Sequence, residues 1–140
     1  MKSTLYRHIS VVVAIAMAFG SYFSVAASDN AQVSNAVYVS TTGSGTVCTQ
    51  TTPCSLTTGI GKLAAGYTLF LSPGNYNTVL RITKSGTASQ PIKVTGAAKF
   101  TSVVLSGSYL EVYGLEVAGA VEHGVLILGK HIRFSDFLVH

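Results

Sequence analysis

A gapless self-match at a spacing of 22 residues constrains the fold of this chain more than any other feature. The stretch Ser102-Val-Val-Leu-Ser-Gly-Ser-Tyr-Leu-Glu-Val-Tyr-Gly-Leu-Glu-Val117 superposes on Gly124-Val-Leu-Ile-Leu-Gly-Lys-His-Ile-Arg-Phe-Ser-Asp-Phe-Leu-Val139. Val103, Leu105, Leu110, Val112, Leu115 and Val117 fall on Val125, Ile127, Ile132, Phe134, Phe137 and Val139, and Gly107 falls on Gly129. A fixed period of this size marks a solenoid, whose units cannot bury their apolar faces alone and do so by stacking. Within each unit the apolar residues alternate in three short stretches separated by turn residues. Alternation is the period of a strand with one buried face. Three strands and three corners per unit describe one coil of a right-handed parallel β-helix, so the expected class is all-β, with about four to five coils.

The earlier coils are looser but follow the same plan. Thr68-Leu-Phe-Leu71 and Pro91-Ile-Lys-Val94 supply the strand equivalent to Leu110–Val112 and Ile132–Phe134, and Thr78–Ile82 supplies the one equivalent to Val103–Leu105. The insertions Ser72–Asn77 and Lys84–Gln90 are rich in Gly, Pro, Asn and Ser, as turns require. Between Ser55 and Ala65, Leu56, Ile60, Leu63 and Ala64 recur at helical spacing, with Ser55 as N-cap and Gly66 as stop. Two internal glycines weaken this segment as a free helix, so it reads as a short lid over the first coil. A solenoid end otherwise exposes core and unpaired backbone.

Composition excludes other classes. Only 10% of the residues are charged, against 48% hydrophobic, which argues against a disordered tail or a coiled coil. The net charge of +4 includes Lys2 and Arg7 near the N-terminus. Residues 28–140 carry seven Lys and Arg against five Asp and Glu, an ordinary surface rather than a nucleic-acid footprint.

Residues 1–27 read as a secretory signal peptide. Lys2 and Arg7 precede the apolar run Val11–Phe19, and Val25-Ala-Ala27 offers a small-residue cleavage site. A retained anchor is the alternative, but the run is shorter than the ~20 residues that span a bilayer. Residues 28–35 then form a linker, residues 36–140 the β-helix domain, and the product is secreted or periplasmic. In an oxidising compartment Cys48 and Cys54, within a Thr-rich loop, are expected to form a disulfide.

The segments Tyr38-Val-Ser-x-x-Gly-Ser-Gly45, Tyr67-Thr-Leu-Phe-Leu-Ser-Pro-Gly-Asn-Tyr76 and Ser85-Gly-Thr-Ala-Ser-Gln-Pro-Ile-Lys-Val94 resemble the N-terminal coils of pectate-lyase-like β-helix proteins. The similarity is greatest to the alginate lyase and chondroitinase B group of polysaccharide lyases. Leu115–Gly119 and His123–Ile127 also resemble coils of those proteins, so the likeness spans residues 36–140. One departure is Tyr67, where relatives usually carry Asp after the glycine. These are scaffold motifs, and a fold does not fix a reaction. The resemblance implies lyase action on acidic, uronic-acid-containing polysaccharide, by a Lys or Arg often beside Ca²⁺, with those elements in coils later than the ones present. The last strand, Asp136–His140, has no cap after it, so the sequence is expected to be the N-terminal, catalytically inert portion of a longer solenoid. The alternative is a small exported module that binds glycan or a protein partner, without catalysis, through its outward residues and open last coil.

Alternation places the residues between buried positions outward. One column reads Phe70, Lys93, Glu111, Arg133, whose three charges form either a contact strip for sugar carboxylates or a ladder of ion pairs. A second reads Arg81, Val104, Leu126, whose aliphatics suggest coverage. His123, His131 and His140 are too scattered to be assigned as metal ligands, and Glu122 with Asp136 do not make a Ca²⁺ site. No catalytic residue, metal or cofactor is identifiable in the chain. Tyr76 and Tyr113 read as corner packing or, alternatively, as sugar-stacking rings.

Overall fold

Each strand of this chain has too little width to bury its apolar side alone, and the fold answers by returning the chain to the same three faces. The structure, a computed structural model, describes residues 35–120 and 122–140. The expected signal peptide at 1–27 and most of the expected 28–35 linker lie outside the described residues. The strands are β1 (Ala36–Val39), β2 (Thr68–Leu71), β3 (Gly74–Asn75), β4 (Val79–Ile82), β5 (Ile92–Thr95), β6 (Ala98–Phe100), β7 (Ser102–Leu105), β8 (Leu110–Tyr113), β9 (Glu116–Val117), β10 (Val125–Ile127), β11 (Ile132–Ser135) and β12 (Leu138–Val139). A single helix, α1 (Leu56–Gly61), lies between β1 and β2.

All neighbouring strands pair in parallel. They form a five-stranded sheet ordered β1-β2-β5-β8-β11, a three-stranded sheet β4-β7-β10 and a four-stranded sheet β3-β6-β9-β12. The molecule is therefore a parallel β-solenoid. Its complete turns are three, β2-β3-β4, β5-β6-β7 and β8-β9-β10, with β1 before them and β11-β12 after. The expected four to five coils resolve into these three and a part-coil at each end. After β1 the chain enters a bridged loop and α1 instead of the other two sheets.

The core is built from rows of stacked side chains, one per coil. Val37, Leu69, Val94, Val112 and Phe134 stand in register across the five-stranded sheet. Leu80, Val103 and Val125 do so across the three-stranded sheet, and Phe100 pairs with Val117 in the third. The central members of these rows are buried, and the described residues contain no buried polar or charged side chain. The interior is held by dispersion and apolar burial alone.

The N-terminal end is closed in two ways. Ser55 caps α1, its hydroxyl accepting from Thr58 N at 3.3 Å. Gly59 faces β1 so closely that a Cβ there would run into the Val39 side chain. The helix is shorter than the 55–65 segment expected, because the Lys62 and Leu63 amides bond to the carbonyls of Gly59 and Ile60, a tightened last turn. Cys48 and Cys54 form a disulfide with Cα atoms 4.7 Å apart. The bridged loop also covers the open edge of β1: Tyr38 N donates to Cys48 O, and Cys54 N donates to Tyr38 O, both at 2.9 Å. An edge that would invite pairing is thereby occupied.

Candidate functional site

The outward face of the five-stranded sheet gathers the chain's candidate residues into two parallel columns. The first runs Thr68, Lys93, Glu111, Arg133. The second runs Tyr38, Phe70, Thr95, Tyr113, Ser135. Phe70 thus stands one column away from the charges and not among them, which corrects the sequence reading. A shift of two residues leaves every side chain on its own face, so alternation alone does not detect it. The corner selects the register: Gly96, at φ +143°, lies so close to the Leu71 carbonyl that any side chain would collide with it.

Within the first column the charges are arranged unequally. Lys93 Nζ lies 4.0 Å from Glu111 Oε2, and the lysine side chain is about half exposed. Arg133 stands opposite Glu111 in register, yet among the described residues it makes no ion pair. Tyr113, two residues on, donates its hydroxyl to Glu111 Oε2 at 2.6 Å. That bond, with lesser contributions from lost hydration and the glutamate charge, raises the Tyr113 phenol above its ordinary pKa. Both contacts fall on Oε2, and the Arg133 guanidinium is without an ion-pair partner among the described residues. The ion-pair ladder is thus formed between Lys93 and Glu111 and not between Glu111 and Arg133, and an exposed pair of this kind contributes ~0.2–1 kcal/mol.

Aromatic groups flank the charges. Tyr38 and Phe70 stack with centroids 4.8 Å apart. Tyr109 and His131, one coil apart, stack at 4.5 Å with an interplanar angle of 8°. Both residues adopt left-handed backbone angles, φ 55° and 56°, which cost a non-glycine residue roughly 1–2 kcal/mol. The stacking and the amide of Tyr109, which donates to Lys130 O at 2.9 Å, hold them there. A shallow depression of about 290 Å³ lies beside this step, lined by Tyr109, Glu111, His131 and Arg133 with Thr87 and Pro91. The sequence alone gives His131 no role as a metal ligand, but its 22-residue offset from Tyr109 carries the signal for the stack.

The remaining candidates sit elsewhere. Tyr76 is a packing residue: it stacks on Phe100 at 4.9 Å and donates to the carbonyls of Val39 and Ser72, each at 3.2 Å. Burial raises its phenol pKa. The His123 carbonyl accepts from Ser102 Oγ at 2.8 Å, tying a corner to β7. His140 Nε2 lies 3.6 Å from Glu116 Oε1 on the four-stranded sheet, where Lys99 Nζ also pairs with Glu116 at 2.8 Å. Calcium takes six to eight oxygen ligands, and among the described residues no group of three or more His, Cys, Asp or Glu side chains converges. No metal is assigned to this face. Comparison of the chain with known protein families, curated proteins and solved structures found no match.

Proposed function

We propose that the chain is the N-terminal part of an exported β-solenoid that binds uronic-acid-containing polysaccharide along the outward face of its five-stranded sheet. The observation that carries this reading is the pairing of a charged column that holds Lys93 and Arg133 with an aromatic and hydroxyl column, in register on one face of the sheet. A sugar ring offers an apolar face for stacking, hydroxyls for hydrogen bonds and, in a uronate, a carboxylate for a guanidinium. Successive rungs are ~4.8 Å apart, close to the advance of one sugar in an extended chain, so a polysaccharide lying along the solenoid axis meets one rung per sugar, with Lys93 and Arg133 facing its carboxylates and Glu111 between them. Lys93 and Arg133 supply the charge, Glu111 sets the lysine's position, and Thr68, Thr95 and Ser135 supply hydroxyls. The part assigned to these coils is binding. The resemblance to polysaccharide lyases supports an eliminating enzyme as the whole, and the appearance of unsaturated uronate products from a longer form tests that step separately.

Affinity electrophoresis through gels containing polygalacturonate, alginate or a neutral glucan tests the binding. The protein is expected to be retarded by at least one uronate polymer and not by the glucan, and the Lys93→Glu, Arg133→Glu double variant is expected to migrate freely. Equal migration in all gels, or retardation unchanged in the double variant, overturns the reading.

A further inference from the structure

The outward face of the three-stranded sheet differs in kind from the one just described. Its central column is Arg81, Val104, Leu126 in register. Outward positions on a solvated sheet are ordinarily polar, yet Val104 is only 8% exposed. Ser102 Oγ, beside it on β7, bonds the His123 carbonyl. The space above the sheet is bordered by Gly119 and Ala120, and a Cβ built at Gly119 would meet no atom within 4 Å. A groove of about 570 Å³ remains, within the usual range for small-ligand sites.

The groove has a polarity. At the β4 end stands the exposed guanidinium of Arg81, which forms no ion pair among the described residues. From there the floor runs over Val79 and Val104 to Leu126, two strand spacings or ~10 Å along the solenoid axis. Glu122 and His123 stand on its rim. A cation at one end of an aliphatic floor, with no Phe, Tyr or Trp among the described residues that line it, suits a straight apolar chain bearing an anionic head better than it suits a sugar. We propose that this groove is a binding site for a medium-chain aliphatic carboxylate, its carboxylate on Arg81 and its chain over Val104 and Leu126. The site is separate from the polysaccharide face and stands or falls independently of it.

Calorimetric titration of the purified protein with octanoate, octanol and acetate tests the assignment. Octanoate is expected to bind saturably, with octanol (chain without charge) and acetate (charge without chain) each at least about tenfold weaker. Arg81→Gln, a change at an exposed position, is expected to abolish the preference of octanoate over octanol. Leu126→Gln is expected to weaken both, and Glu122→Gln, by removing a like charge from the rim, to tighten octanoate alone. Absence of saturable octanoate binding overturns the proposal. So does octanol binding as tightly as octanoate, or a preference for octanoate that survives Arg81→Gln.

Discussion

At the scale of single residues, two glycines separated by one residue have opposite meanings. Gly59 and Gly61 both interrupt α1, and both lower its intrinsic helicity. A Cβ at Gly59 would run into the Val39 side chain, whereas one at Gly61 meets nothing within 4 Å. Gly59→Ala is therefore expected to destabilise the protein by about 1–3 kcal/mol through overpacking. Gly61→Ala is expected to stabilise it by up to about 1 kcal/mol. Urea midpoints of the two variants check this, and a shift of the same sign in both would contradict the packing account. Glu116 gives a residue-scale pH dependence. Its carboxyl is held below its ordinary pKa, first by the hydrogen bond from Lys99, which outweighs the opposing loss of hydration, and then by the lesser effects of the Lys99 and His140 charges. A depressed folded-state pKa contributes stability that is present above the unfolded carboxylate pKa and drains away as pH falls through the folded one. The melting temperature of the native chain is thus expected to exceed that of Glu116→Gln at neutral pH, with the difference closing below the usual carboxylate range. A difference that persists unchanged into acid would show that the Lys99 pair is not its source.

At the scale of elements, the residues that declared themselves in the sequence were those in coils without insertions. The 22-residue match between Ser102–Val117 and Gly124–Val139 holds because both coils turn every corner with the same number of residues, and the structure pairs Val103 with Val125 and Leu110 with Ile132 as that match requires. Where corners differ in length the register was not legible. Phe70 slipped by one pleat repeat because a two-residue slip keeps the alternation intact. The two-residue strand Gly74–Asn75 has no alternation to read at all, and its turn-forming residues pointed to a loop. The charge column Lys93, Glu111, Arg133 was legible because each charge lies between two inward apolar residues of its strand, Ile92 and Val94, Leu110 and Val112, Ile132 and Phe134, while the aromatic column beside it needed the observed register. The bridged loop is an element whose role the sequence reached only in part: the cysteine pairing was expected, the coverage of the β1 edge was not. Closing a loop of six-residue separation removes unfolded-state entropy worth about 2 kcal/mol. A Cys48→Ala, Cys54→Ala double variant is expected to lose about that much, plus the dispersion contacts of two buried sulfurs. A loss below about 0.5 kcal/mol in chemical denaturation would mean that backbone pairing with Tyr38, rather than the bridge, holds the loop.

At the scale of the whole molecule, stability in a solenoid is a sum over neighbouring coils rather than a property of one shared centre. Each row of the core is therefore strongest where a rung has neighbours on both sides, and the rows display the gradient directly. Val94 and Val112 are inaccessible to solvent, while Phe134, in the same row one rung further on, is only partly buried against the core. Leu138 and Val139 of β12 are more than half exposed, whereas Val117, beside Val139, is not exposed at all. Equivalent positions in the repeat should then differ in what they contribute. Phe100 is 1% exposed and stacks on Tyr76, so Phe100→Ala removes a ring packed on all sides and is expected to cost about 4 kcal/mol. Phe134 has the same side chain and makes an edge contact with Phe137 at 5.3 Å, but it is only partly buried, so Phe134→Ala in a chain of these 140 residues is expected to cost about 1–2 kcal/mol. Native-state hydrogen exchange should rank the coils in the same order, with the amides of β5 and β8 exchanging only near the global unfolding free energy and those of β11 and β12 well below it. Equal losses for the two phenylalanine variants, together with uniform protection from β5 to β12, would mean that the coils unfold as one unit and that the neighbour-by-neighbour account fails. A graded result would instead tie the binding face to the gradient: Lys93 and Glu111 ride on the most protected strands, and Arg133, without an ion-pair partner among the described residues, rides on a less protected one, so polysaccharide binding at Arg133 should raise protection most in β11.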